Sequence, residues 1–203
     1  FSGFSQMQRL FRDSYAQNWP DYATRLEKLR ESGAGSPSAL LAEFIEAGRL
    51  SLENLAKTID PEVLDAAIRT LSDANMVHIV GLRRAFSVAA YFAYAFEKMN
   101  VPTMIHDHVG RLDNRHAIRK GDAVIAITFA PYTPETIELA EAARATGAEV
   151  VAITDAIASP LRPITPLMLT VSEADFGDFR SLSATLSLAV ALVVAVGANT
   201  RQK

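Results

Sequence analysis

The chain has 203 residues, 49% of them hydrophobic and 21% charged, a balance that calls for a packed globular core and excludes a disordered tail or linker. Its formal net charge of −3 gives no overall basic footprint for nucleic acid, although a locally basic segment is compatible with it. The absence of cysteine excludes disulfides, thiolate metal sites and cysteine nucleophiles, and fits a reducing cytoplasm.

The first residue is Phe1, so the natural N-terminus is expected upstream, and no basic-then-apolar leader is visible. Ser5 and Gln8 match a capping box, and Met7, Leu10, Phe11 and Ser14 continue at helical spacing. Tyr22, Leu26 and Leu29 mark a second helix that stops near Gly33 and Gly35, and the run from Gly33 to Pro37 reads as a linker. A helical pair follows over residues 36–75. Ser36-Pro37 and Asp60-Pro61 each supply a capping side chain and a proline in the first turn. Leu40, Leu41, Phe44, Ile45, Leu52 and Leu55 give the first helix its apolar stripe; Val63, Leu64, Ala67, Ile68 and Leu71 do so for the second.

From Met76 onward β-type apolar runs alternate with helical patterns. The runs are Met76–Val80, Thr103–Ile105, Ala123–Ile127, Val150–Ile153 and Leu167–Val171. Helices are expected at Ser87–Met99, at Glu135–Thr146 and from about Asp178 to Val196, with a proline-rich connection around Ser159–Pro166. This alternation predicts an α/β fold, a three-layer, doubly wound, parallel five-stranded sheet with an N-terminal helical extension. Ligands of such sheets bind at the carboxyl ends of the strands. The stretch Leu182–Val196 is short for a membrane span and carries Ser183, Thr185 and Ser187, so a buried helix is expected and no membrane partner.

Three segments are more specific than the fold: Ile79 to Ala90, Gly121 to Thr136, and Val151 to Asp155 followed by Ser159-Pro160-Leu161. In this order and spacing they resemble the sugar isomerase (SIS) domain of the RpiR family of bacterial transcriptional regulators, over about Asp60 to Val196. The segment Phe1 to Arg12 is similar to the end of the helix-turn-helix domain that precedes the SIS domain in that family. The resemblance implies a flavodoxin-like sheet and three zones: a helix-turn-helix remnant with linker over 1–32, the helical pair over 36–75, and a phosphosugar-binding domain over 76–203. It implies a DNA-binding, cytoplasmic regulator that senses a sugar phosphate or related anion. DNA would be bound through helices lying before Phe1; Gln8, Arg9 and Arg12 are phosphate contacts at most.

The resemblance also implies a phosphosugar held by hydroxyls and amides at strand-to-helix turns, where free N–H groups and the helix dipole favour an anion. Thr128 ends a strand, and Thr133-Pro134-Glu135 reads as a cap and first turn, so Thr133 can cap the helix or donate to an anion. Phe129, Ala130, Pro131 and Tyr132 stand where SIS domains at large favour serines and a glycine. In the first segment Gly81, Arg83 and Ala85 occupy the positions of a Gly-x-Gly-x-Ser pattern, losing a glycine and a hydroxyl. Arg83 and Arg84 can replace them as an anion site or pair with a partner subunit; Ser87 lies a turn too far along. Asp155 can accept from a sugar hydroxyl or cap a turn. Arg180 and Ser181, by the resemblance, reach the cleft from a neighbouring chain.

His106 and His108 share one face of a strand but lack a third metal ligand other than His116, so a polar strand end is expected and no metal. No cofactor is called for, and neither a nucleophile elbow nor a lysine-bearing phosphate loop is present. A phosphosugar isomerase is the alternative; Glu135, Glu173, Asp175 and His106 are its available bases, none in a pattern that demands catalysis. The apolar stripes of the helical pair and the closing helix, apolar nearly all round, predict a homodimer or homotetramer.

Overall fold

The protein is described here by a computed structural model covering residues 21–31, 36–111, 114–176 and 178–200. The expected helix-turn-helix remnant over residues 1–12 and the Gly33–Gly35 part of the linker lie outside the described residues. Three helices come first: α1 (Tyr22–Glu31), α2 (Pro37–Thr58) and α3 (Pro61–Asp73). The two predicted caps form. Ser36 Oγ accepts from the Ala39 amide, and Asp60 Oδ1 accepts from the amides of Glu62 and Val63, with proline in the first turn of each helix.

The sheet that follows has five parallel strands: β1 (Val77–Gly81), β2 (Thr103–Ile105), β3 (Ala123–Ile127), β4 (Glu149–Thr154) and β5 (Met168–Thr170). Their spatial order is β2-β1-β3-β4-β5, so the chain steps outward from β1 to β2 and then crosses back to β3. Between the strands run α4 (Phe86–Lys98), which follows β1, and α5 (Pro134–Thr146), which follows β3; α6 (Ser183–Thr200) closes the chain.

Alternation along each strand feeds two cores. Ile79, Ile125, Ile127, Ile153 and Leu169 face α3, α4 and α6, where Leu71, Phe92, Phe96 and Leu192 meet them. Val80, Val124, Ala126, Val150 and Ala152 face α5 through Ile137, Ala140 and Ala143. The result is the expected three-layer sandwich. Gly81 shows why the first turn tolerates so little: a Cβ there would stand 3.1 Å from Ala85 O and 3.2 Å from the Cβ atoms of Ala89 and Ile127. The glycine therefore lets α4 settle onto the end of β1.

Helix α6 has the length and composition of a membrane span. In the fold it packs on α2, α3 and α4, with Ala184, Leu188, Leu192 and Val196 buried. Its outer stripe of Ser187, Val190, Ala191 and Val194 carries no charge and remains exposed.

One element departs from expectation. Residues 175–180 do not begin the closing helix; β6 (Asp175–Phe176) and β7 (Phe179–Arg180) pair antiparallel as a small hairpin. The segment has no helical apolar period, and its aromatic residues find partners outside the sheet. Phe176 meets Phe44 of α2 edge-on at 5.7 Å, and Phe179 meets Tyr22 of α1 at 5.7 Å. The turn is taken by Asp178 at φ 64, a left-handed conformation that aspartate tolerates better than most residues. Arg25 donates to the Asp178 carbonyl at 3.1 Å, and Lys28 pairs with its carboxylate at 3.3 Å. The Ala174 amide, just before the hairpin, donates to Ser51 Oγ of α2 at 2.8 Å. Helices α1 and α2 thus hold one hairpin.

Candidate functional site: a cleft at the carboxyl ends of the strands

The turns after β1, β3, β4 and β5 and the start of α6 enclose a cleft of ≈ 660 Å³, within the ~300–1,000 Å³ common for small-molecule sites. Its polar inner wall is made by Arg84, Asp155, Glu173, Arg180 and Ser181, with Tyr132 beside them. Glu141 and Asp175 are exposed members of the lining and form its acidic rim.

Asp155 is the hub. Its Oδ2 accepts from the Ala130 amide at 2.9 Å and from Arg180 Nη1 at 3.0 Å. One carboxylate oxygen therefore ties the turn after β3 to the hairpin. The other, Oδ1, is buried and accepts no hydrogen bond among the described residues. Both partners of the Arg180–Asp155 pair are largely buried, with side chains 15% and 17% exposed. Arg180 reaches this cleft from its own chain, because the hairpin brings it there.

Arg84 enters from the turn after β1. It lies over the Phe129 ring at 5.3 Å and donates to Ala130 O over a long 3.4 Å. Burial, and then the neighbouring Arg180 guanidinium, push its pKa below the ordinary arginine value, while Asp155 opposes the shift. Arginine stays charged at neutral pH regardless. Two cations held close in a half-buried recess repel each other, and an anion between them relieves that repulsion.

Glu173 was available in the sequence as a base but had no pattern to mark it. Its Oε1 accepts from both the amide and the hydroxyl of Thr185, each at 2.7 Å, in the first turn of α6. An acidic side chain at a helix N-terminus is favoured by the dipole. Its Oε2 is buried without a hydrogen bond among the described residues. Ser181 Oγ accepts from the Ser183 amide at 3.0 Å, so this hydroxyl also serves the start of α6.

The remaining expected residues lie elsewhere. Gly81 is packed under α4, and Arg83 is exposed at φ 56, outside the cleft lining. Thr128 and Thr133 are buried, and neither lines the cleft. Thr133 occupies the N-cap position of α5 but makes no side-chain cap bond; instead its amide donates to Thr128 Oγ1 at 2.9 Å. The Thr128 hydroxyl accepts the amide that an anion would have taken. Of the nine residues singled out, Arg84, Tyr132, Asp155, Arg180 and Ser181 are brought together.

His78 and His106 form a buried polar chain with Asp122, and because β2 ends at Ile105, His106 and His108 lie beyond the strand and do not share one of its faces. Buried His78 contacts His106 Nε2 through Nδ1 at 3.0 Å and Asp122 Oδ2 through Nε2 at 3.2 Å. Among the described residues no group of three or more His, Cys, Asp or Glu is placed to hold a metal. Glu135 is exposed on α5, and neither it nor His106 lines the cleft.

With this geometry in hand, the comparisons with known proteins are specific. The family model of the SIS domain matches residues 70–195. The HTH-type transcriptional regulator HexR of Pseudomonas aeruginosa is 26% identical over 209 residues, covering 97% of this chain and 73% of HexR. Among solved structures, the sugar isomerase domain of the RpiR transcription factor from Sphaerobacter thermophilus superimposes with a TM-score of 0.73 at 18% identity, over 80% of this chain and 92% of that one. The Vibrio vulnificus NanR protein complexed with ManNAc-6P gives 0.67 at 20%, over 96% and 76%. Enzymes share the fold: the C-terminal domain of glucosamine-fructose-6-phosphate aminotransferase from Francisella tularensis gives 0.60 at 14%, over 80% and 46%.

Proposed function

Because this chain belongs to the SIS domain family, we infer that its cleft is an effector site, and that the chain is the metabolite-sensing part of a transcriptional regulator of the RpiR type. The ligand is a small phosphorylated sugar or a closely related anion. The observation that carries the ligand class is the convergence of Arg84 and Arg180 on one half-buried recess. Guanidinium forks bind phosphate oxygens in pairs, and a low-dielectric wall strengthens the contact. The regulator reading is supported by likeness to HexR along nearly the whole chain, and the ligand class by the bound ManNAc-6P of NanR.

The phosphate is gripped here by arginines rather than by the hydroxyls of Thr128 and Thr133, which the turn after β3 uses internally. The wall opposite Asp155 is the hairpin, which α1 and α2 clasp from outside. Drawing Arg180 toward an anion therefore loads the N-terminal helices, and through them the DNA-binding heads expected before this chain. The working assembly is a cytoplasmic homo-oligomer, dimer or tetramer, in which the chain binds its effector without turning it over.

A thermal-shift screen of phosphorylated sugars is the direct test, since a ligand that binds only the folded state raises its stability. A rise in Tm with a sugar phosphate, and its loss in Arg84→Ala, is the expected result. No shift with any phosphorylated sugar overturns the sensor reading. A second reading, an isomerase with Glu173 as base, is favoured by the presence of this carboxylate in the cleft lining, with its Oε2 buried and without a donor among the described residues. An aldose–ketose interconversion assay separates the two: turnover abolished in Glu173→Gln would establish the enzyme.

A further inference from the structure

Among the described residues the buried titratable side chains are His78, His106 and Asp122, and they form one cluster. None of them lines the cleft. Asp122 Oδ2 accepts from the Arg119 amide at 2.8 Å, and His78 Nε2, 3.2 Å from the same oxygen, donates to it as well. A neutral His78 then has its Nδ1 left to accept, and His106 Nε2 donates to it over 3.0 Å. This chain of contacts runs from β1 to both ends of the connection between β2 and β3, since His106 follows β2 and Asp122 precedes β3. The connection itself is sparsely anchored. It contains two three-residue turns, Val109–Arg111 and Arg115–Ala117, and among the described residues of 107–121 only Ile118 is buried.

One hydrogen fits on the 3.0 Å line between the two rings. A single added proton is compatible with it on either ring, because one nitrogen of the facing pair still accepts. With both rings as imidazolium, two N–H groups oppose each other, the bond is lost, and two buried like charges repel. We propose that His78, His106 and Asp122 are a proton-controlled fastener, which holds the connection between β2 and β3 to the sheet at neutral pH and lets it go in mild acid. Histidine in water takes up its proton near pH ~6.5, so below that a released pair binds two protons where the fastened pair holds one. The fastening is therefore complete above that range and weakens as the pH falls through it. Asp122 is the one carboxylate buried with the pair. The other titratable groups on the packed elements turn outward: Glu135, Glu138, Glu141 and Arg144 of α5 and Tyr94, Glu97 and Lys98 of α4 are exposed. In the connection, Asp107, Arg115, His116, Arg119 and Lys120 are exposed and His108 is half-buried. Tyr91 of α4 packs on the opposite core, and β2 and β3 carry no titratable residue.

The test is amide hydrogen exchange across residues 107–120 of the full chain at about pH 7.5 and about pH 5.5, each rate taken relative to an unstructured peptide at the same pH. From the higher to the lower pH, wild-type protection should fall about tenfold. His106→Gln takes up no proton, and its amide can turn to serve either protonation state of His78. Its protection should change by less than about twofold. His116→Gln, at an exposed ring, should keep the wild-type response. Equal wild-type protection at the two pH values overturns the fastener, and so does a pH response that survives in His106→Gln. Ring-nitrogen NMR on the wild type decides the matter even where the variant folds poorly. His78 and His106 should each carry a hydrogen on Nε2 at neutral pH; finding both as imidazolium while residues 107–120 stay protected overturns the proposal.

Discussion

Arg84 and Arg180 occupy one recess but are held there very differently, and substitution should separate them. Arg180 neutralises Asp155 in a largely buried pair, so Arg180→Ala strands a carboxylate. We expect it to cost about 1–3 kcal/mol of stability as well as ligand affinity. Among the described residues, Arg84 rests on one long hydrogen bond and a contact with the Phe129 ring. Arg84→Ala should leave stability within about 1 kcal/mol and lower the affinity for a phosphorylated sugar at least tenfold. Urea denaturation and calorimetry on both variants check the contrast; equal stability losses would show that Arg84 is structural. At this scale the sequence was partly legible. Adjacent arginines after a strand offer an anion site or a pair with a partner subunit, and only the fold separates them: Arg84 lines the cleft, while Arg83, with left-handed backbone, is exposed outside it. Glu173 stood among four available bases with nothing to set it apart, because what fixes it is Thr185, twelve residues on and in another element.

Among the elements, the turn after β3 is the instructive one. A threonine before Pro-Glu is a good cap signal, and it marks the start of α5 correctly at Pro134. The side chain that serves the turn is nevertheless that of Thr128, five residues back, through the Thr133 amide. Thr128→Val should therefore destabilise the fold by about 1–2 kcal/mol, measured by thermal or chemical unfolding. It should change ligand affinity far less than Arg84→Ala does. The five strands were legible almost to the residue, because buried parallel strands are continuous apolar runs between helical periods. The hairpin of β6 and β7 was not, since two-residue strands have no period, and their partners lie in α1 and α2, well over a hundred residues away in sequence. The hairpin also brings Arg180 to the cleft of its own chain, where the resemblance implied a neighbouring one.

For the molecule as a whole, the uncharged outer stripe of α6 marks where a second copy would pack. Val190 and Val194 are exposed there, at 43% and 54%, and Phe86 and Tyr94 are exposed on the adjoining α4, at 43% and 61%. Light scattering should report a dimer or larger species, and Val194→Glu should shift it toward monomer without lowering the unfolding midpoint of the monomeric fold, because its side chain contributes little to the core. A monomeric wild type at high concentration would remove the oligomer from the proposal. The clasp of α1 and α2 on the hairpin has one more consequence. Ser51 and Arg25 grip residues 174 and 178, next to Asp175 and Arg180 of the cleft lining, where the proposed metabolite would sit. Whatever free energy the metabolite spends in shifting that grip must be returned in the opposite direction. A regulator seated on its operator would then release or retain the sugar phosphate more readily than one free in solution, by the same factor by which the sugar phosphate alters its hold on DNA.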